Sequence, residues 1–244
     1  MEFRFPAIGT VHSCFKEKFG IPRQPGLAPL ACAEIELLPP YNDPAAFEGL
    51  EGCTHVWIQF VFHANRRDEW KARVKPPRLG GNKTLGVFAT RSPTRPAPIG
   101  LSVVRYRGLA ARDGKLFVQI SGVDLLDGTP VLDIKPYVPY VDCVLDAENA
   151  FADSPPPLVA VDIPAGLMAV CADYWKRTGI DLAGLITQVL QQDPRPQYQQ
   201  PEAGRIYGMK LLDLDVRWQY QPRDGEQRIC LCAILPLVAP PPTQ

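Results

Sequence analysis

Two arginines four residues apart, Arg91 and Arg95, stand in ATRSPTRPAPIG (89–100) among three prolines. Both are permanent cations, and the chemistry open to them is contact with an anion. Pro93, Pro96 and Pro98 remove backbone donors and fix φ, which excludes a helix and a strand ladder. The residues that precede them are pushed to extended conformations. A stiff, extended loop presenting two cations is expected. It is either a surface connection with solvated arginines or an anion-facing element. The surrounding charge bears on the choice: residues 66–107 hold eleven Lys/Arg against two acids, residues 110–165 three against nine, and the whole chain is formally neutral. Fields follow the distribution of charge as well as its total, so such a block attracts a polyanion locally unless the charges interleave in space.

Other familiar chemistry is missing. There is no GxGxxG, GxSxG or HExxH, and Gly81 and Gly86 have P-loop spacing but are followed by Val87 where lysine should stand. The seven cysteines include no CxxC pair, and with three histidines at unsuitable spacings no metal site is expected. Cys230 and Cys232 alternate with apolar residues, as on the two faces of a strand. No apolar run reaches the ~20 residues of a membrane span, and MEFRFPAIGT lacks the pattern of a signal peptide. A reduced, cytoplasmic protein is the expectation.

The elements that must hold this loop are mainly strands. Residues 5–13, 31–38, 54–62, 84–90, 101–109, 115–124 and 129–137 are rich in β-branched and aromatic residues, with Gly, Pro and Asp between them. Asp127-Gly128 is the pair expected at a tight hairpin. Few helices intervene, so a closed or nearly closed antiparallel β-barrel is expected rather than a doubly wound sheet. A proline cluster in DSPPPLVAVDIPAG (153–166) marks a boundary. Two helices are predicted within 166–192, separated by Gly179 as stop and Asp181 as N-cap. Two further strands, RIYGMKLLDLDVRWQY and QRICLCAIL, complete a small α+β appendage. The expected organisation is a β-barrel domain over 1–152 and an α+β domain over 153–244.

GVFATRSPTRPAPIGLS, flanked by PPRLGGN (76–82) and DLLDGTPVLDIKPYVP (124–139), closely resembles the TrmO (YaeB- or TsaA-like) family. So do KEKFGIPRQPGL (16–27), THVWIQFVFH (54–63) and QDPRPQY (192–198). The resemblance runs along nearly the whole chain with the motifs in order. It implies an S-adenosylmethionine-dependent tRNA methyltransferase on a single-sheet β-barrel, acting as a homodimer. Its implied substrate is N6-threonylcarbamoyladenosine at position 37, on the 3′ side of the anticodon, methylated on N6. One departure stands out: Ala97 replaces the asparagine usual in the family's arginine loop.

Carried over residue by residue, the resemblance places the cofactor at Pro22, Arg23, Gln24, Phe62, His63, Arg91, Leu101, Ser121, Gly122, Val123 and Asp124. An arginine fork suits the methionine carboxylate. The plainer readings are core packing for Leu101 and Val123, a structural role for His63, and turn-shaping for Asp124. N6 of the implied substrate belongs to a urea, so a general base is expected: Asp133 first, then His63, with Tyr137 orienting or stacking. Lys135 is a candidate for substrate or tRNA contact, or else a structural partner of Asp133. Arg66, Arg67, Arg78, Lys83 and Arg95 are candidates for the threonyl carboxylate or anticodon-loop phosphates. Trp70, Tyr137 and Tyr140 are candidates for stacked bases. Asp193, Arg195 and Tyr198 are placed near the tRNA, or else form a rigid loop held by Asp–Arg pairing. The alternative to an enzyme is an RNA- or ligand-binding barrel without catalysis.

Overall fold

The computed structural model describes residues 2–65, 70–76, 83–196, 199–202, 204–223 and 225–237. Strands β1 (Gly9–Ser13), β2 (Cys32–Leu37), β3 (His55–Val61), β6 (Ile99–Arg112), β7 (Lys115–Ser121) and β8 (Pro130–Pro136) form the main sheet. A two-residue pair, β4 (Arg73–Val74) with β5 (Leu85–Gly86), stands apart. The main sheet is antiparallel and closes on itself in the order β1-β2-β7-β6-β3-β8, with β8 returning to β1 at Gly9↔Val131. Alternation drives the closure. Val11, Ile35, Ile58, Val104 and Val131 are almost fully buried while their neighbours are more exposed, the period-2 pattern of a half-buried strand.

A short helix, α1 (Pro139–Asp142), leads out of the barrel. The second unit has β9 (Ala160–Asp162), α2 (Ala165–Thr178), α3 (Leu182–Leu190), β10 (Tyr207–Leu211), β11 (Leu214–Arg223) and β12 (Glu226–Pro236). Its sheet order is β10-β11-β12-β9, with β9 parallel to β12. The local helix signals hold. Gly179 ends α2 in the left-handed conformation, and the Asp181 carboxylate accepts the Gly184 N–H at 2.9 Å as the N-cap of α3. Helix α3 buries Leu182, Leu185, Ile186, Val189 and Leu190. The two units share one apolar core, in which Phe19 stacks on the fully buried Trp218 with ring centroids 5.9 Å apart.

Three expectations need correction. The stretch 84–90 is not one strand: after Leu85–Gly86 it becomes a 3-10 turn, Val87–Ala89. RIYGMKLLDLDVRWQY is two strands, because Leu212 at φ 57° turns β10 back into β11. Asp127-Gly128 is a tight turn, with the Thr129 N–H donating to Leu126 O at 3.2 Å, but it makes no hairpin. It joins β7 to β8, which are not neighbours, and Asp127 instead binds Lys16 (3.0 Å) and the Ser13 N–H (2.8 Å) at the end of β1, the strand beside β8.

Candidate active site

One end of the barrel opens into a cavity of about 900 Å³. Its walls are the end of β3, the start of β6, the arginine loop before β6, the loop Ile21–Gln24 and the segment after β7. The β3/β6 pairing continues past the strands, with the Phe62 N–H donating to Pro98 O at 2.9 Å, and this brings Phe62 and His63 beside Ile99 and Leu101. Phe60 faces Gly100 in register, and a Cβ on Gly100 would lie 2.1 Å from the Phe60 ring. Glycine therefore lets that ring cross β6, edge-on to Phe62 at 5.0 Å. Lys18 donates to Ala64 O and to Asn65 Oδ1 (2.7 Å), bracing the 3-10 turn that follows Phe62.

The charged groups are asymmetric. Among the described lining residues, Lys18, Arg23, Lys75, Arg91 and Arg95 meet one carboxylate, Asp124. Arg91 Nη1 donates to Gln24 Oε1 at 2.6 Å, which fixes the guanidinium against the opposite wall. Arg95 instead turns back, donating to Thr90 O at 3.2 Å, and stiffens the loop. Asp124 Oδ1 accepts from the Ser102 hydroxyl at 2.6 Å, and Ser102 is fully buried. Burial pushes the Asp124 carboxyl up from 3.8 to about 6, against the opposing pull of that hydroxyl, a backbone hydrogen bond and the Arg91 charge. The site thus combines a forked cation, a carboxylate able to exchange a proton near neutrality, and apolar walls.

The expected cofactor residues divide. Pro22, Arg23, Gln24, Phe62, His63, Arg91, Leu101 and Asp124 all line the cavity. Ser121, Gly122 and Val123 are buried and stand behind it. Ser121 Oγ accepts from Arg107 Nε at 2.9 Å. Gly122, at φ 74°, donates to Ala31 O and accepts from the Gly26 N–H, both at 2.8 Å, and Val123 packs in the core. Together they hold Asp124 in position.

The remaining candidates lie away from the lining. Asp133 pairs with Lys135 at 2.8 Å on β8, the plainer of the two readings of that residue. Tyr137 packs against Trp57 with centroids 6.0 Å apart. Lys83 sits 5.1 Å from the Phe151 ring centre. Asp193 binds Arg195 (2.9 Å) and the Tyr220 hydroxyl (2.7 Å). Arg195 lies over the Tyr220 ring, and its carbonyl accepts from Arg23 Nη2 at 3.0 Å. That pair belongs to the support of the cavity loop. Trp70 and Tyr140 are exposed. Arg66, Arg67, Arg78 and Tyr198 lie outside the described residues. Sequence reasoning did not select Ser102, Gly100, Phe60 or Lys18. For Ser102 a signal existed, since a hydroxyl on the buried phase of an apolar strand needs a partner.

The match to known proteins covers both units. The model of the tRNA-methyltransferase O N-terminal domain matches residues 10–143, and that of the TrmO C-terminal domain matches residues 156–236. A Pseudomonas aeruginosa relative, provisionally named an S-adenosylmethionine-dependent methyltransferase, is 55% identical over 217 residues, 89% of this chain and 92% of its own. The tRNA (adenine(37)-N6)-methyltransferase of Escherichia coli K12 is 44% identical over 219 residues, 89% of this chain and 93% of its own. A crystal structure of TrmO from Pseudomonas aeruginosa superposes with a TM-score of 0.78 at 47% identity, covering 97% of this chain and 98% of that one. The chain belongs to the tRNA-methyltransferase O family.

Proposed function

We propose that this protein transfers a methyl group from S-adenosylmethionine to N6 of the adenine at position 37 of tRNA, and that the adenine already carries the threonylcarbamoyl group. The carrying observation is the cavity in which the tethered Arg91 fork stands with Asp124, the single carboxylate among the described lining residues. The names of the relatives support the reaction class and the tRNA. The donor set suits the cosubstrate. Arg91 and Arg23 match its carboxylate; Phe62, Ile99 and Leu101 offer an apolar bed; Gly100 keeps room that a side chain would deny.

Bound S-adenosylmethionine supplies a methyl carbon made electrophilic by its positively charged sulfur. The chain's own residues bind, orient and manage a proton. Arg91, aimed by Gln24, fixes one end of the site, and Pro22, Gln24 and His63 complete the wall. The acceptor nitrogen is part of a urea with a delocalised lone pair, so removing its proton during attack lowers the barrier. In this reading Asp124 takes that proton, and Ser102 sets its orientation. Asp133 is held by Lys135 and has no part in the transfer. Arg95 and Lys83 meet phosphates, residues 1–152 carry the chemistry, and residues 153–244 support the cavity loop and the tRNA. The protein works as a cytoplasmic homodimer, for which exposed Tyr140, Val141, Val144 and Leu145 offer an apolar contact.

Incubation with cosubstrate and tRNA carrying or lacking threonylcarbamoyladenosine, followed by nucleoside mass analysis, tests the reading. A gain of one methyl on the modified nucleoside alone is expected. No methyl on either tRNA overturns the activity, and methylation of the unmodified adenosine alone overturns the acceptor.

A further inference from the structure

Beyond Arg91 the surface opens into a second cleft of about 730 Å³. It shares Gln24, Pro76, Thr90 and Arg91 with the first cavity, so the Arg91–Gln24 bridge is a partition between two chambers. Among the large apolar side chains of its described lining the most exposed is Phe88, with 75% of its surface open to solvent. That exposure comes from a rigid mount. Val87 is buried, its N–H donates to Ala72 O at 2.9 Å, and its carbonyl accepts from the Thr90 N–H (3.1 Å) and hydroxyl (2.8 Å). The turn is anchored at Val87 and presents the next ring to water, where it forgoes the gain of burial.

Across the cleft stands Phe151, also partly open, with Lys83 Nζ 5.1 Å from its ring centre. Apolar ring faces, flanked by Lys83 and Arg91, are the chemistry that recognises single-stranded nucleic acid: a base stacks on the ring while its phosphate meets the cation. Among the described lining residues the one acidic side chain, Asp153, is engaged by the Ser154 hydroxyl at 3.2 Å. The second cleft gives an RNA strand that delivers one nucleotide into the first chamber a path past the partition.

We propose that the second cleft takes an unstacked base next to the target adenine, stacked on Phe88, with the intervening phosphate at Lys83. This rests on the tRNA reading above and extends it to how the anticodon loop is held open.

The test uses the full chain and anticodon stem–loop RNAs containing threonylcarbamoyladenosine, with 2-aminopurine at either neighbouring nucleotide. Stacking quenches its fluorescence, so binding to the wild-type protein should quench one of the two. Phe88→Ala should abolish that quench and raise the RNA Kd roughly 5- to 150-fold, the range for loss of one base–aromatic stack. Phe88→Trp should retain both, and cosubstrate affinity should stay within twofold in each variant. Because Phe88 is exposed, neither substitution threatens folding, which a melting curve verifies. An RNA affinity and quench unchanged in Phe88→Ala overturn the cleft while leaving the methyltransferase reading intact. Absence of methyl transfer by the wild-type chain overturns that reading and the base site with it.

Discussion

Replacing Asp124 by Asn should make the protein more stable and nearly inactive, and the first effect can be sized. The carboxyl titrates near 6 in the folded chain instead of 3.8, because burial penalises its charge. Between those values the folded state holds more protons than the unfolded one, so stability falls as pH rises through the window, and the full penalty remains above it. A difference of that size is worth about 3 kcal/mol, and the little solvent that still reaches the mostly buried carboxylate trims it to roughly 2 kcal/mol. Asn keeps an oxygen for the Ser102 hydroxyl and carries no charge. At pH 8 the variant should therefore melt roughly 4–8 °C above wild type, with the advantage vanishing near pH 4. Methyl transfer should fall roughly 100-fold or more, the usual contribution of a positioned base. Wild-type activity should decline as pH drops below about 6, the value at which Asp124 takes up its proton. Asp133→Asn, which only breaks an exposed pair with Lys135, is the control and should keep turnover within about twofold. Scanning calorimetry at pH 4 and 8, with transfer measured across the same range, decides it. Equal melting temperatures at pH 8 refute the desolvated carboxylate, and full turnover by Asp124→Asn refutes its role as proton acceptor.

Gly100→Ala puts a methyl group where the Phe60 ring lies, 2.1 Å away. It should cost about 1–3 kcal/mol in a urea melt and raise the cosubstrate Kd roughly tenfold by calorimetry, about 1.4 kcal/mol, as the ring swings into the cavity. Arg91→Lys keeps the charge but loses the fork held by Gln24. Its cosubstrate Kd should rise roughly 10- to 100-fold, the worth of a charge-assisted hydrogen bond, with the melting temperature unchanged. Asp193→Ala removes the carboxylate that pairs with Arg195 and accepts from the Tyr220 hydroxyl, leaving the guanidinium, among the described residues, only its hydrogen bond to Gln199 O; a loss of about 2–4 kcal/mol is expected from denaturant unfolding, a far larger effect than an exposed tRNA-contact residue would give.

How much of this could be read from the residues depended on how local the signal was. The loop between α2 and α3 was legible because Gly179 and Asp181 act within one turn of themselves. Most main-sheet strands were legible from their alternation. The turn at Leu212 was not, because an apolar residue in the left-handed region carries no turn signature. Asp127-Gly128 announced a turn correctly and a hairpin wrongly. Which strands pair is set by the closure of the whole sheet, and neither neighbour of the turn encodes it. The same limit separated Asp124 from Asp133. Both are aspartates beside apolar runs; only the register that lays Ser102 next to the segment after β7 gives the first a hydroxyl and a cavity. The second receives a lysine two residues on.

The second unit acquires a different role from the one its basic and aromatic residues suggested. Gln188 on α3 accepts the Leu30 N–H at 2.8 Å, Gln192 donates to Leu27 O at 3.4 Å, and Arg195 O receives Arg23. All three contacts fall on the loop that carries Pro22, Arg23 and Gln24. That loop has no strand of its own to hold it, yet Gln24 is what aims Arg91. A site is only as well positioned as the groups behind it. The Asp193–Arg195–Tyr220 cluster ties that support to β11, so the α+β unit fixes the loop opposite the arginines whether or not it also touches RNA.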